Sequence, residues 1–165
     1  MRRPGTPSEQ RASVEHAMRL SPRDPNTAGW LYQIGTAQLQ MARYDEAIAT
    51  FRKSLVANPN LVVSRQNLSA AYLGSGCDAE ARNVLADARS QAATRMPDQL
   101  DEQLLMMRVQ LALLQQGFWP YTVDGRDTRM MVEALRAFQR KENLPETGIV
   151  DEGTLARLGV AKASV

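Results

Sequence analysis

The side chains that could do covalent chemistry are few, and their neighbours are the wrong ones. His16 is the single histidine and Cys77 the single cysteine. A nucleophile needs a base within hydrogen-bond reach and a third group to orient that base. Here the thiol lies in a glycine-rich turn and the imidazole in a separate, earlier helical segment. One histidine also excludes metal sites that need several. Paired carboxylates for glycosidic cleavage require a cleft whose two environments split their pKa values. The acidic residues of this chain fall at helix caps and on solvent faces. Gly74-Ser75-Gly76 lacks the lysine and the strand–helix setting of a phosphate loop. The expectation is a protein that is not an enzyme, with no catalytic residue, no metal and no cofactor.

What remains is recognition. The candidate aromatic and arginine side chains lie between residues 119 and 140: Trp119, Tyr121, Arg126, Arg129 and Arg140. A partly exposed aromatic covers the apolar face of a ligand, and an arginine forks onto a carboxylate. Nucleic acid is not the expected partner. The net charge of +2 divides into 12 Lys+Arg against 8 Asp+Glu over residues 1–97, and 8 against 10 over 98–165. Neither half is a basic footprint. No run approaches the roughly 18 apolar residues of a membrane span, and the N-terminal MRRPGTPSEQ has no apolar signal core. A lone cysteine leaves both redox compartments open.

The elements that position these residues read as helices throughout. Self-similarity appears at a period of 34: Ile34 with Leu68, Gly35 with Ser69, Leu39 with Leu73, Ala47 with Ala81, and Phe51 with Leu85. One unit spans 27–60, turning at MARYDEA and closing at Asn58-Pro59, with Asp45 as the expected cap of its second helix. A second spans 61–95, with its turn at Gly74-Ser75-Gly76. Before them, 9–25 reads as half a unit ending in SPRDP. The period and the small–large alternation resemble the tetratricopeptide repeat. That likeness implies helical hairpins stacked into a surface for a protein partner, whose identity the sequence does not give.

After Pro97, Asp98 is the expected cap of a helix whose apolar residues run nearly all round it, so it should be buried on more than one side. Its first half is expected against the last repeat and its second half in the next module, residues 98–162. There Gly117 ends the helix, Phe118 is expected in the core, and Val123-Asp124-Gly125 forms a turn with a positive φ at Gly125. Met131, Ala134, Leu135 and Phe138 put one face of the next helix inward, with Asp127 as its expected cap. Asn143 is its left-handed terminator before Leu144-Pro145. Thr147-Gly148-Ile149-Val150 reads as a short extended piece. Asp151 caps a last helix, with Leu155 and Leu158 inward.

From Val109 to Leu158, the Gly-aromatic-aromatic turn, the Asp-Gly, the Phe138-Gln139 pair, Asn-Leu-Pro and Thr-Gly resemble the three-helix peptidoglycan-binding domain. This is a non-catalytic module of bacterial envelope proteins. The chain departs from that pattern at Thr128 and Tyr121, where the family has glycines, and at Met131, where it has threonine. The resemblance implies peptidoglycan as ligand, with Trp119 and Tyr121 on sugar faces and Arg126, Arg129 and Arg140 on peptide carboxylates. The expected fold is therefore all-α: two and a half tetratricopeptide-like hairpins, then a three-helix module joined by a shared long helix.

Two functions follow. One is a binding protein that links a partner of the repeats to the cell wall. The other is an intracellular scaffold or the C-terminal tail of a larger signalling protein. RLSPRDP followed by a repeat opening with Trp30 is similar to repeat tails of some bacterial adenylyl-cyclase-type proteins, though no cyclase residues are present. A signal segment upstream of Met1 would place the chain in the envelope or periplasm; otherwise it is cytoplasmic.

Overall fold

Small residues decide how closely the first helices approach one another. The computed structural model describes Ala12, His16 and residues 26–91, 99–119 and 122–161. Among these it has seven bounded helices and no strand, an all-α fold: α1 Thr27–Gln40, α2 Tyr44–Ala57, α3 Val62–Gly74, α4 Asp78–Gln91, α5 Gln99–Gln115, α6 Arg129–Lys141 and α7 Glu152–Leu158. The chain divides into two compact units, Met1–Ala93 and Thr94–Val165. Apart from Ala12 and His16, the expected half unit at 9–25 lies outside the described residues, as do Pro97 and Asp98.

In the first unit α1 packs on α2, α3 on α4, α2 on α3, and α1 on α3. A Cβ on Gly35 would stand 2.6 Å from the Phe51 ring, so only glycine lets that ring, itself fully buried, seat against α1. Ala47 and Ala81 are likewise fully buried. At Ser69, the partner of Gly35 one period on, the hydroxyl donates across the helix pair to the Ala81 carbonyl at 2.9 Å. Ser54 connects three helices. Its hydroxyl donates to the Ala28 carbonyl at 2.8 Å and therefore accepts from Ser64, 2.9 Å away.

The period of 34 holds down to single hydrogen bonds. The amides of Ala42 and Arg43 donate to the carbonyls of Leu39 and Gln38 at 3.0 and 2.9 Å. Those of Gly76 and Cys77 donate to Leu73 and Tyr72 at 3.2 and 2.8 Å. This is the paired terminator that needs a left-handed residue. Gly76 has φ +79°, but the first copy places Ala42 at φ +56°, where a Cβ is disfavoured. Asp45 is not the cap of α2. The helix begins at Tyr44 without a side-chain cap, and Asp45 and Glu46 lie in its first turn, where the helix dipole favours negative charge. Asn58 is extended, as a residue before proline must be.

In the second unit α5 packs on α6 and α7. Leu104, Met107, Val109, Gln110, Leu111 and Leu113 are buried, which accounts for the near-continuous apolar run. All three helices end in the same paired terminator, at Gly117 (φ +81°), Asn143 (φ +55°) and Gly159 (φ +69°). The inward faces of α6 and α7 are as expected: Met131, Ala134, Leu135, Phe138, Leu155 and Leu158 are buried.

Candidate functional site

The candidate site is residues 122–128, which lead into α6, and two glutamines inside α5 hold its backbone. Gln110 has no solvent exposure. Its Oε1 accepts the amides of Asp124 and Gly125 at 2.9 and 2.8 Å. Its Nε2 donates to the Arg126 carbonyl at 3.0 Å and to Asp124 Oδ1 at 3.3 Å. Gln103 adds a donation to the Asp124 carbonyl at 3.0 Å. Asp124 Oδ1 in turn accepts the Arg126 amide at 3.0 Å. Gly125, at φ +72°, lies so close to α5 that a Cβ would meet the Gln103 carbonyl at 2.6 Å. A single buried amide thus satisfies a loop that would otherwise bury unpaired backbone groups.

The connection from α6 to α7 repeats this construction 23 residues later. Gln139, also fully buried, accepts the Gly148 amide at 2.8 Å and donates to the Ile149 carbonyl at 3.1 Å. It donates as well to the hydroxyls of Thr147 and Thr154. Thr147 Oγ1 accepts the Ile149 amide at 3.2 Å, as Asp124 does for Arg126. Three residues past each glycine stands a helix cap: Thr128 accepts from Met131 at 3.3 Å, and Asp151 from Thr154 at 2.7 Å. Two expectations are corrected. The cap of α6 is Thr128, in an extended backbone, and not Asp127. Residues 147–150 are not simply extended, since Gly148 has φ +70° and turns the chain.

The candidate ligand residues do not form one surface. Trp119 is 3% exposed, and its indole donates to the Thr122 carbonyl at 3.2 Å. It is a core residue, which corrects the expectation of a platform for a sugar face. Tyr121 lies outside the described residues. Arg126 is exposed and stands 3.8 Å from Asp124 Oδ2. Arg129 opens α6 and faces Glu133 at 3.5 Å, with 93% of its side chain exposed. Arg140 is some three helical turns further along, about 16 Å at 1.5 Å per residue. Its fork is already filled by Glu146, at 3.0 and 2.6 Å. The hydrogen bond from Arg140 holds the Glu146 carboxyl below its usual range, and the same bond raises the Arg140 guanidinium. Arg140 thus stands apart from Arg126 and Arg129, with its fork on Glu146. Phe118 is half-buried. It meets Phe138 edge to face at 5.7 Å, with Lys141 over its ring at 5.2 Å.

Gln103 and Gln110 were missed from the sequence. The available signal was a glutamine in the apolar run VQLALL, since a polar side chain there must find partners. The 23-residue spacing of Asp124-Gly125 and Thr147-Gly148 was a second signal.

Elsewhere the described residues converge on less. Cys77 is half-buried before α4, with its carbonyl accepting the Ala81 amide, and His16 is exposed. Among the described residues no group of three His, Cys, Asp or Glu could hold a metal ion. No described helix is long and apolar enough to cross a membrane. A cleft of about 350 Å³ beside the α1–α2 turn is lined by Ala42, Arg43, Tyr44, Asp45, Glu46 and Ser75. Glu46 there is held by Arg43 and by Gln38. Burial raises the Tyr44 hydroxyl pKa.

The second unit is thus a helical module whose two connecting loops are pinned from inside and whose charged side chains face outward. Residues 105–158, about a third of the chain, match the sequence model of the family described as putative peptidoglycan binding domain. No curated protein and no solved structure matches the chain.

Proposed function

We propose that the protein is a non-catalytic adaptor whose C-terminal module binds peptidoglycan and whose 34-residue repeats bind a protein partner. The observation that carries the ligand is the family match over residues 105–158. The loop 122–128 and the first turn of α6 are the contact region within it. Arg126 and Arg129 stand there exposed, beside acidic neighbours that a stem-peptide carboxylate would displace. Such charge-assisted forks suit the free carboxylates of stem peptides. The repeats support the second half of the reading. Two copies share buried positions and terminator hydrogen bonds at a period of 34, which supports a likeness to tetratricopeptide repeats, a class whose stacked units present a continuous surface to partners.

The burial of Trp119 takes away an aromatic for a sugar face, and the alternative is that the module makes protein contacts inside a scaffold or signalling protein. Co-sedimentation of the full chain with purified peptidoglycan separates the two. At a few tens of micromolar protein, a range that detects weak complexes, sedimentation above an albumin control is expected, with Arg126→Ala and Arg129→Ala together lowering it. Sedimentation no greater than albumin would refute the wall reading and leave the second.

A further inference from the structure

We propose that Gln110 is the positioning residue of the ligand loop: its buried amide sets the Asp124–Arg126 backbone from which Arg126 reaches the ligand. The inference rests on the peptidoglycan reading above. Three observations carry it. Gln110 is fully buried, so it meets no ligand itself. Among the described residues, its four side-chain hydrogen bonds all go to residues 124–126. The same loop carries the exposed Arg126, whose own amide is bonded to the Asp124 carboxylate that Gln110 also holds. A side chain that fixes its loop in this way removes conformations a bound ligand would otherwise have to select against, and binding tightens by that saved ordering.

The twin construction supplies the control. Gln139 makes an equivalent set of bonds to Gly148, Ile149, Thr147 and Thr154, at the loop that carries neither Arg126 nor Arg129. A role in folding alone belongs to both glutamines; a role in positioning the ligand belongs to Gln110. The experiment compares Gln110→Met and Gln139→Met in the full chain, reading peptidoglycan affinity per folded molecule by co-sedimentation against the helical signal. Gln110→Met is expected to weaken binding about tenfold and Gln139→Met less than about twofold, the scale of one or two lost hydrogen bonds. Equal losses in the two variants would make both glutamines structural and overturn the inference, as would a folded Gln110→Met that binds like the parent.

If either methionine variant does not fold, Gln103→Ala decides, because Gln103 is only half-buried and holds the same loop through the Asp124 carbonyl. A loss of about threefold is expected from that single bond, and unchanged binding would overturn the inference. Failure of the unsubstituted chain to sediment is a different outcome: it removes the peptidoglycan reading, and this role with it.

Discussion

The two units are both built by repetition, but they hold their repeats in opposite ways. In the first, copies 34 residues apart are held chiefly by volume, with buried serine hydroxyls beside it: a missing Cβ at Gly35, buried alanines at 47 and 81, and Phe51 or Leu85 filling the space. In the second, loops 23 residues apart are held by buried amides, Gln110 and Gln139, that bond loop backbone. The difference has a physical consequence. Packing degrades gradually as volume changes, because neighbours relax in part. A buried hydrogen-bond set fails abruptly, because each lost partner leaves a polar group unpaired.

The largest test of that contrast is Gln139→Met. Nearly the same volume stays, but the Gly148 amide and the Ile149 carbonyl lose their partner. We expect the second unit to lose about 3–5 kcal/mol, read by urea unfolding followed by Trp119 emission in a Trp30→Phe background. A cost below about 1 kcal/mol would mean that the amides are dispensable and the contrast false. Next comes Gly35→Ala, whose Cβ would overlap the Phe51 ring. About 1–3 kcal/mol should be lost from the first unit, with Phe51→Leu restoring part of it in the double variant. Additive losses in that pair would show that Phe51 is not what Gly35 accommodates.

A smaller effect has the opposite sign. Ala42 occupies a left-handed position that its period mate fills with glycine, so Ala42→Gly should stabilise the first unit by about 0.5–1 kcal/mol after the entropic cost of glycine. A lower unfolding midpoint would refute the strain. The smallest effect is electrostatic. Hydrogen bonds from the Thr154 amide, then from its hydroxyl, hold the Asp151 carboxyl below its ordinary range. A lowered folded-state pKa contributes stability that is complete above the unfolded value and is lost as pH falls through the folded one. Acid titration of the second unit should therefore show a loss below about pH 4 that Asp151→Asn, which keeps a capping oxygen, reduces while Glu146 supplies the rest. An unchanged acid limb in that variant would assign the loss to other carboxylates, Glu146 first.

Much of this architecture was legible in the residues. The positions 34 apart, the left-handed roles of Gly117, Gly125 and Asn143, the Asp151 cap and the inward faces of α6 and α7 are all local or periodic features. They follow from what a few neighbouring residues can do, so reading them needs no knowledge of the rest of the chain. The caps of α2 and α6 were misread for a related reason. Asp45 and Asp127 are good capping residues beside the true starts, and a helix can begin one or two residues to either side until packing selects its first turn.

The candidate site was less legible. Trp119 and Arg140 are chemically suited to a ligand in isolation, and nothing in their immediate sequence says that one is buried and the other already bound to Glu146. Gln110 was the converse case, an unremarked polar residue in an apolar helix that proved to organise the loop. What the sequence by itself determined is the repetition, the all-α class and the points where helices stop, because short-range sterics and backbone hydrogen bonds settle these. Which side chains remain free to meet a ligand was decided only by the tertiary structure. Burial and pairing depend on residues brought together from distant parts of the chain, and a side chain's type records what it can bond, not what has already bonded it.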